Sequence, residues 1–298
     1  MKNSLVRPPS DLPRLSPRRR DTSKRDYGRV VIVGGATGMA GAPALAAMAT
    51  LRSGAGLVEL LVPESVAAIA AGFDPCVMTR GLPANADGTF AADALGEIER
   101  RSAAAETVAI GPGIGRSDAV VRIVAHLWRK LPTPTVFDAD ALWALSRGDR
   151  ASLATHAGPR LLTPHAGEML RLLGDDPSSE RARNRPALER EATSLAAAID
   201  ATILLKGAAS LVVDGSGQRF HNGTGNPGMA TAGTGDVLTG VAAALLAQGL
   251  AVRDAARLAA WVHGRAGDVA AADLGEVSLT ARDLIERLHV AFRDVSSA

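Results

Sequence analysis

The strongest constraint on this chain is a series of short apolar runs that do not alternate. Residues 29–33 (RVVIV), 58–62 (VELLV), 107–110 (TVAI), 135–137 (TVF), 160–162 (RLL) and 202–205 (TILL) read as strands, several of them apolar on both faces. A strand with one face in water alternates polar and apolar residues, whereas parallel strands covered on both sides read as near-continuous β-branched runs. Between them lie Ala/Leu-rich stretches of helical length at 43–53, 117–130, 167–173 and 186–199. This rhythm predicts an α/β fold with a doubly wound, mostly parallel sheet flanked by helices. After Lys206 the rhythm changes, and 210–213 and 218–221, separated by Asp-Gly-Ser-Gly, predict an edge hairpin. The remainder reads as helices at 235–248, at 253–273 and from Thr280, where Thr280 and Asp283 have the spacing of a capping box.

The 298 residues suffice for one large domain, and no internal repeat or long linker divides 28–298. Residues 1–29 hold nine Lys/Arg against three Asp, which leaves 24 basic and 28 acidic side chains in the rest. Having almost no apolar periodicity, residues 1–27 are expected to form a basic, flexible tail in solvent. The chain has one Tyr, three Trp and five Phe, too few for a base-stacking platform, so no nucleic-acid partner is expected. No apolar run approaches the roughly 18 to 20 residues of a membrane span, and the first thirty residues lack a signal-type stretch. The expectation is a soluble, cytoplasmic protein without a membrane partner. Cys76, the single cysteine, excludes an internal disulfide and a Cys-rich zinc site.

The richest segment is 222–240, NGTGNPGMATAGTGDVLTG, with six glycines. Such density lets backbone N–H groups converge, and a helix N-terminus adds about half a positive charge, so the place suits an anion. Gly233, Thr234 and Gly235 would form the cradle, with Asp236 facing it. Dipole compensation alone could also place Asp236 in the first turn, a contribution of ~0.3 to 1 kcal/mol, but it would not require two glycine loops upstream. GTGNPG at 223–228 matches G-x-G-x-x-G literally, yet Asn-Pro-Gly is a turn and no helix opens at its third glycine. The P-loop, G-x-S-x-G and H-E-x-x-H patterns are absent.

Two further glycine loops, GGATGMAGAP at 34–43 and GPGIG at 111–115, each follow a strand. Tight helix-on-sheet packing would explain either one, whereas a pair at the carboxyl edge of the sheet favours a ligand cleft. His165 in TPHAGE and Asp138 and Asp140 in FDADAL also follow strands. The carboxylates there could hold a Mg²⁺-linked water, although an N-cap role would explain Asp140. KGAAS at 206–210 leaves an ammonium and a hydroxyl at the same end, suited to a phosphate, though Lys206 could merely snorkel.

GGATGMAGAP, GPGIGR, FDADAL, LLTPHAGEM, LLKGAASLVVDG and above all NGTGNPGMATAGTGDVLTG, in this order, resemble the ADP-dependent NAD(P)H-hydrate dehydratases of the ribokinase-like superfamily. The resemblance covers about 28–292 and implies a ribokinase-like fold. The implied substrate is the (6S)-hydrate of NADH or NADPH, with ADP as co-substrate alongside Mg²⁺, and AMP, phosphate and NAD(P)H as products. By position, the resemblance implies that Ala42, Gly115, His165 and Asp236 contact the hydrate. It assigns Lys206, Gly207, Ala208, Ala209, Ser210 and Gly235 to the AMP moiety, and Asp236 to the reacting hydroxyl. It also implies a homotetramer. Many bacterial relatives fuse this domain to an epimerase, whereas only a short tail precedes it here, so the chain is expected to lack that activity and act with a separate epimerase. The pattern usually has Pro at Ala166, Thr at Ser210 and more hydroxyls than Ala36 and Ala40 provide. The rival reading within the superfamily is a small-molecule kinase of the vitamin-precursor type, which would use the same aspartate and cradle.

Overall fold

The computed structural model describes residues 7–296. Nine strands form one sheet: β1 (Arg29–Val33), β2 (Leu57–Pro63), β3 (Met78–Leu82), β4 (Thr107–Ile110), β5 (Thr135–Phe137), β6 (Arg160–Leu162), β7 (Thr202–Leu205), β8 (Leu211–Val213) and β9 (Arg219–His221). The spatial order is β3-β2-β1-β4-β5-β6-β7-β8-β9. Every pair from β3 through β7 is parallel, and β8 and β9 close the edge as an antiparallel hairpin. The order reverses between β1 and β4, where open α/β sheets leave a crevice beyond the strand ends.

The helices are α1 (Gly41–Arg52), α2 (Ala67–Ala71), α3 (Leu95–Ala103), α4 (Asp118–Lys130), α5 (Asp140–Ser146), α6 (Ala166–Leu172), α7 (Arg185–Ile199), α8 (Thr234–Ala247), α9 (Val252–Leu274) and α10 (Ala281–Ser296). Val30 and Ile32 of β1 enter the core shared with α1, α8, α9 and α10, while Val31 and Val33 enter the opposite core with α3 to α7. Both faces are therefore dry, the physical reason for the unbroken apolar runs. Helix α8 approaches α1 closely: a β-carbon at Gly240 would lie 2.1 Å from the Ala46 carbonyl oxygen, and Thr50 Oγ1 donates to Gly240 O at 3.0 Å. That approach brings Leu45 against Gly233 at the start of α8. Thr280 donates to Asp283 through both N and Oγ1, ahead of α10. Among the described residues no helix is long and apolar enough to cross a membrane.

Differences from expectation occur where local pattern is weak. Strand β3 (MTRGL) is a mostly exposed edge strand whose polar composition gave no strand signal. Asp140 is not an N-cap: Ala139 occupies that position without a side-chain bond, and Asp140 pairs with Arg116 Nε at 2.7 Å. The expected solvated tail also needs correction over its described part, residues 1–6 lying outside the described residues. Leu12 is 7% exposed within the α1/α8/α9 core. Asp11 pairs with Arg257 at 2.5 Å, and Arg18 covers Tyr27 while donating to Gly54 O at 2.6 Å. One buried leucine and two arginine contacts hold a segment that, among the described residues, has no regular structure before the short 3-10 turn Lys24–Tyr27, and so gives no periodic signal.

Leu12→Ala is expected to cost about 1.5 to 3 kcal/mol, and deletion of residues 1–23 at least as much. Chemical denaturation of both variants would read this, and an unchanged midpoint would return the segment to a solvated role.

Candidate functional site

The carboxyl ends of β1, β4, β5, β6 and β7 and the N-terminus of α8 meet along one edge of the sheet. The two glycine loops form one side of this site. Gly35 N donates to Pro112 O at 3.0 Å, and a β-carbon at Gly34 would lie 2.2 Å from that oxygen, so the start of the 34–43 loop serves close packing. Gly38 and Gly41 face open space instead. Ala42, at the start of α1, meets Gly113, and Gly115 lies against Thr89 and Ala36. Thr89 belongs to a loop that sequence reasoning did not connect to the site, and its hydroxyl bonds Ser117 Oγ at 2.9 Å.

The other side is charged. Asp138, 1% exposed at the end of β5, accepts from Lys206 Nζ at 2.7 Å and from Thr239 Oγ1 at 2.7 Å. Burial would raise the Asp138 carboxyl, but the Lys206 ammonium and these hydrogen bonds hold it below its ordinary value. Burial likewise opposes the charged form of Lys206, and Asp138 and Glu168 overcome it, so its pKa is raised. Lys206 Nζ also lies 3.5 Å from Glu168 Oε2, and a β-carbon at Gly235 would lie 3.5 Å from it. The ammonium thus sits against the first turn of α8.

Gly233 caps α8 with φ 87°. The first-turn N–H groups of a helix have no intrahelical acceptor, and those of Thr234, Gly235 and Asp236 find no other acceptor among the described residues. Thr234 has a packing role beside this cradle, its hydroxyl donating to Met229 O and Thr231 O. Among the described residues, nothing donates a hydrogen bond to the Asp236 carboxylate. Desolvation first, and then the nearby Asp138 charge, push its pKa up to about 7 despite Lys206. This opposes the helix-dipole effect that a purely capping carboxylate would display.

His165 stands at the start of α6 as a reciprocal cap. Its Nδ1 accepts from Gly167 N at 3.0 Å and Glu168 N at 3.3 Å, while Glu168 Oε2 accepts from His165 N at 2.8 Å. With that lone pair engaged, the neutral ring carries its proton on Nε2. Burial lowers the pKa of this ring and keeps it neutral. The side chain is 56% exposed, and its Nε2 lies 3.4 Å from Glu168 Oε1, so the ring presents an N–H rather than a base on that side.

Three supporting residues gave no sequence signal. Asp268 of α9 accepts from Gly225 N at 3.0 Å and Asn226 Nδ2 at 3.1 Å, fixing the first glycine loop of the 222–240 segment. His263, whose pKa burial pushes down to about 4, donates through Nε2 to Thr234 O at 2.8 Å. Arg185 of α7 binds the backbone of the 206–210 loop. All three sit in ordinary helical runs and reach the site only through the fold.

A family profile described as NAD(P)H-hydrate dehydratase matches residues 30–289. The chain is 44% identical over 286 residues to the bifunctional NAD(P)H-hydrate repair enzyme Nnr of Moorella thermoacetica, covering 96% of this chain and 52% of that one. It is 37% identical over 284 residues to the ADP-dependent (S)-NAD(P)H-hydrate dehydratase of Neisseria meningitidis, covering 91% and 89%. The chain spans about half the length of the bifunctional relatives it matches. A Bacillus subtilis ADP/ATP-dependent NAD(P)H-hydrate dehydratase crystallised with ATP/Mg²⁺ superposes with a TM-score of 0.78 at 26% identity, covering 94% of each chain.

The elevated carboxyl of Asp236 gives a signed stability prediction. Its folded pKa is about 7 against 3.8 for the free side chain, so the folded state holds this proton more tightly. The group's contribution is fully present at acid pH and is lost as pH rises through about 7. Asp236→Asn should therefore be more stable than the wild type at pH ~8 and equal to it near pH ~4, as read by thermal melts at both pH values. If Asp236 were only a helix cap, the substitution would destabilise at the higher pH.

Proposed function

The chain belongs to the NAD(P)H-hydrate dehydratase family, and from that premise we propose that it restores NADH or NADPH from the (6S)-hydrate at the expense of ADP. The observation that carries this reading is the Asp236 carboxyl, unpaired among the described residues and with a pKa of about 7, beside the N–H groups of Gly233 to Gly235 and the Lys206 ammonium. A base whose pKa lies near the working pH is the one best placed to accept and release a proton. The ribokinase-like fold is common to many phosphoryl-transfer proteins, so the family match, rather than the fold, selects the dehydration.

Hydroxide leaves poorly, and elimination from the hydrate is slow until its oxygen is phosphorylated. In this reading Asp236 takes the proton of the C6 hydroxyl as that oxygen bonds to the β-phosphorus of ADP and the bond from that phosphorus to the AMP oxygen breaks. The N–H groups of Gly233, Thr234 and Gly235 and the Lys206 ammonium stabilise charge on the transferring group. The ring-nitrogen lone pair then expels phosphate from C6, and loss of the C5 proton completes the double bond. Ala42, Gly115 and the Nε2–H of His165 line the hydrate side. Lys206, Gly207, Ala208, Ala209, Ser210 and Gly235 line the AMP side.

Mg²⁺ is commonly held through substrate phosphates, water and one or two carboxylates rather than in an all-protein cage. The donor set suits that mode: among the described residues no group of three His, Cys, Asp or Glu side chains converges on a metal position, and both Asp138 oxygens are committed. The nucleotide phosphates would carry the ion, and the ion would offset phosphate charge. A cytoplasmic setting, a homotetramer and an epimerase as a separate partner belong to the same reading, the last two on the family resemblance.

Incubation with ADP, Mg²⁺ and the hydrate, followed by dihydronicotinamide absorbance, tests the proposal. A kinase would accumulate a phosphorylated product without restoring the absorbance, and a non-catalytic nucleotide binder would leave both substrates unchanged. Asp236→Asn should lower kcat by about 10² to 10⁴ with ADP affinity retained. The wild-type rate should fall as pH drops below about 7, where Asp236 becomes protonated. A rate that stays level down to the ordinary carboxylate range would remove Asp236 as the base.

A further inference from the structure

The loop between β7 and β8 has an unequal distribution of donors and acceptors. The carbonyls of Lys206, Gly207 and Ala209, though not that of Ala208, are bound from within the protein. Arg185 Nη1 donates to Lys206 O at 2.9 Å, Arg185 Nη2 donates to Leu205 O at 3.0 Å and Ala209 O at 3.3 Å, and Ser210 Oγ donates to Gly207 O at 3.0 Å. The N–H groups of Gly207, Ala208 and Ala209 donate to no acceptor among the described residues, and all three residues are exposed. The loop presents donors outward and keeps those acceptors inward.

This arrangement does not hold itself. Ala209 has φ 52°, in the left-handed region. A non-glycine residue there is strained and keeps that conformation only where its surroundings over-determine it. Arg185 supplies that fixation through a planar fork whose donors engage several carbonyls at once, which a lysine ammonium cannot reproduce. Its Nε is held by Glu189 Oε1 at 3.0 Å, and Glu189 Oε2 accepts from Arg219 at 2.8 Å and faces His221 at 3.0 Å, both on β9. The clamp therefore ties helix α7 and the edge hairpin to the loop.

We propose that Arg185 is a positioning residue for the nucleotide: by engaging the loop carbonyls it keeps the N–H groups of Gly207 to Ala209 turned toward the acceptor oxygens or nitrogens of bound ADP. This rests on the reading of 206–210 as the nucleotide loop. Without the guanidinium these peptide units are free to turn, and a carbonyl facing a phosphate or ribose oxygen repels it. The effect falls on nucleotide affinity, because Arg185 contacts the loop backbone and none of the groups assigned to the chemistry.

The test is calorimetric titration with ADP together with steady-state kinetics in both substrates for the wild type, Arg185→Met, Arg185→Lys and Glu189→Gln. Arg185→Met should weaken ADP binding and raise KM for ADP by roughly tenfold to a hundredfold, as expected for the loss of several modest hydrogen bonds. KM for the hydrate and kcat at saturating ADP should stay within about twofold. Arg185→Lys should recover part of the affinity, and Glu189→Gln should show a smaller loss in the same direction. ADP binding by Arg185→Met within about twofold of wild type would overturn the assignment, as would an equal loss for both substrates. Should the methionine variant fold poorly, unchanged ADP affinity in both other variants would overturn it equally. A wild-type protein that fails to bind ADP removes the functional reading itself, whereas an ADP-binding wild type matched by Arg185→Met removes only the role of Arg185.

Discussion

Asp138 loses nearly all contact with water, and both of its oxygens are committed, one to Lys206 and one to Thr239. A carboxylate taken from water stays ionised only when it is paired and hydrogen-bonded. Its partners here come from β7 and α8, so a single buried charge fixes the relative placement of β5, β7 and the helix whose N-terminus forms the cradle. Lys206 is held by the same bond, and with it an ammonium beside the cradle. Asp138, Glu168 and Asp236 all lie within electrostatic reach of that one cation. Asp138 takes its strongest contact, and Asp236, without hydrogen bonds among the described residues, is the carboxyl pushed toward its neutral form. Burial is the larger cause of that shift, and the Asp138 charge, kept ionised by its own bonds, adds to it.

The backbone around this charged centre is packed closely enough to hold its position. The loop after β1 rests on Pro112, Gly111 comes directly against the Asp138 carbonyl, and α8 lies on α1 at Gly240. The three non-glycine residues of positive φ among those described are Ala139, Ala209 and Asp200. The first two flank the candidate site, next to Asp138 and within the loop after β7. Such strain persists where neighbouring contacts over-determine the conformation, here the β5–α5 junction and the Arg185 clamp. Two dry cores, one on each face of the sheet, supply the rigid frame that sustains it.

The site is also supported by helices that carry none of its candidate residues. Asp268 and His263 of α9 hold the glycine loop and the Thr234 carbonyl, and Arg185 of α7 holds the loop after β7. Each acts on backbone groups, so each sets which way N–H donors face. In an anion site assembled mainly from amides and one lysine, that orientation is as consequential as the residues that meet the ligand.

The sequence by itself determined the parallel sheet, the edge hairpin and the glycine loops, because these follow from local properties: unbroken apolar runs, turn chemistry and residues that permit close backbone approach. Strands β1, β4, β5, β6 and β7 lie where the apolar runs placed them. Asp138, His165 and Lys206 closely follow strand ends, so local pattern singles them out as candidates, whereas Ala42 and the contact assigned to each residue came only from the family resemblance. Tertiary structure alone decided which charges meet. Nothing local distinguishes Asp138, bound to Lys206 sixty-eight positions away, from Asp140, bound to Arg116. Nor does anything local reveal that Arg160 would be buried against the carbonyls that end α4, that Leu12 would enter the core, or that Arg185 would face a loop twenty residues downstream. These outcomes depend on contacts between distant segments, and an ion pair or a buried side chain acquires its energy only when the fold has removed the water that would otherwise satisfy it.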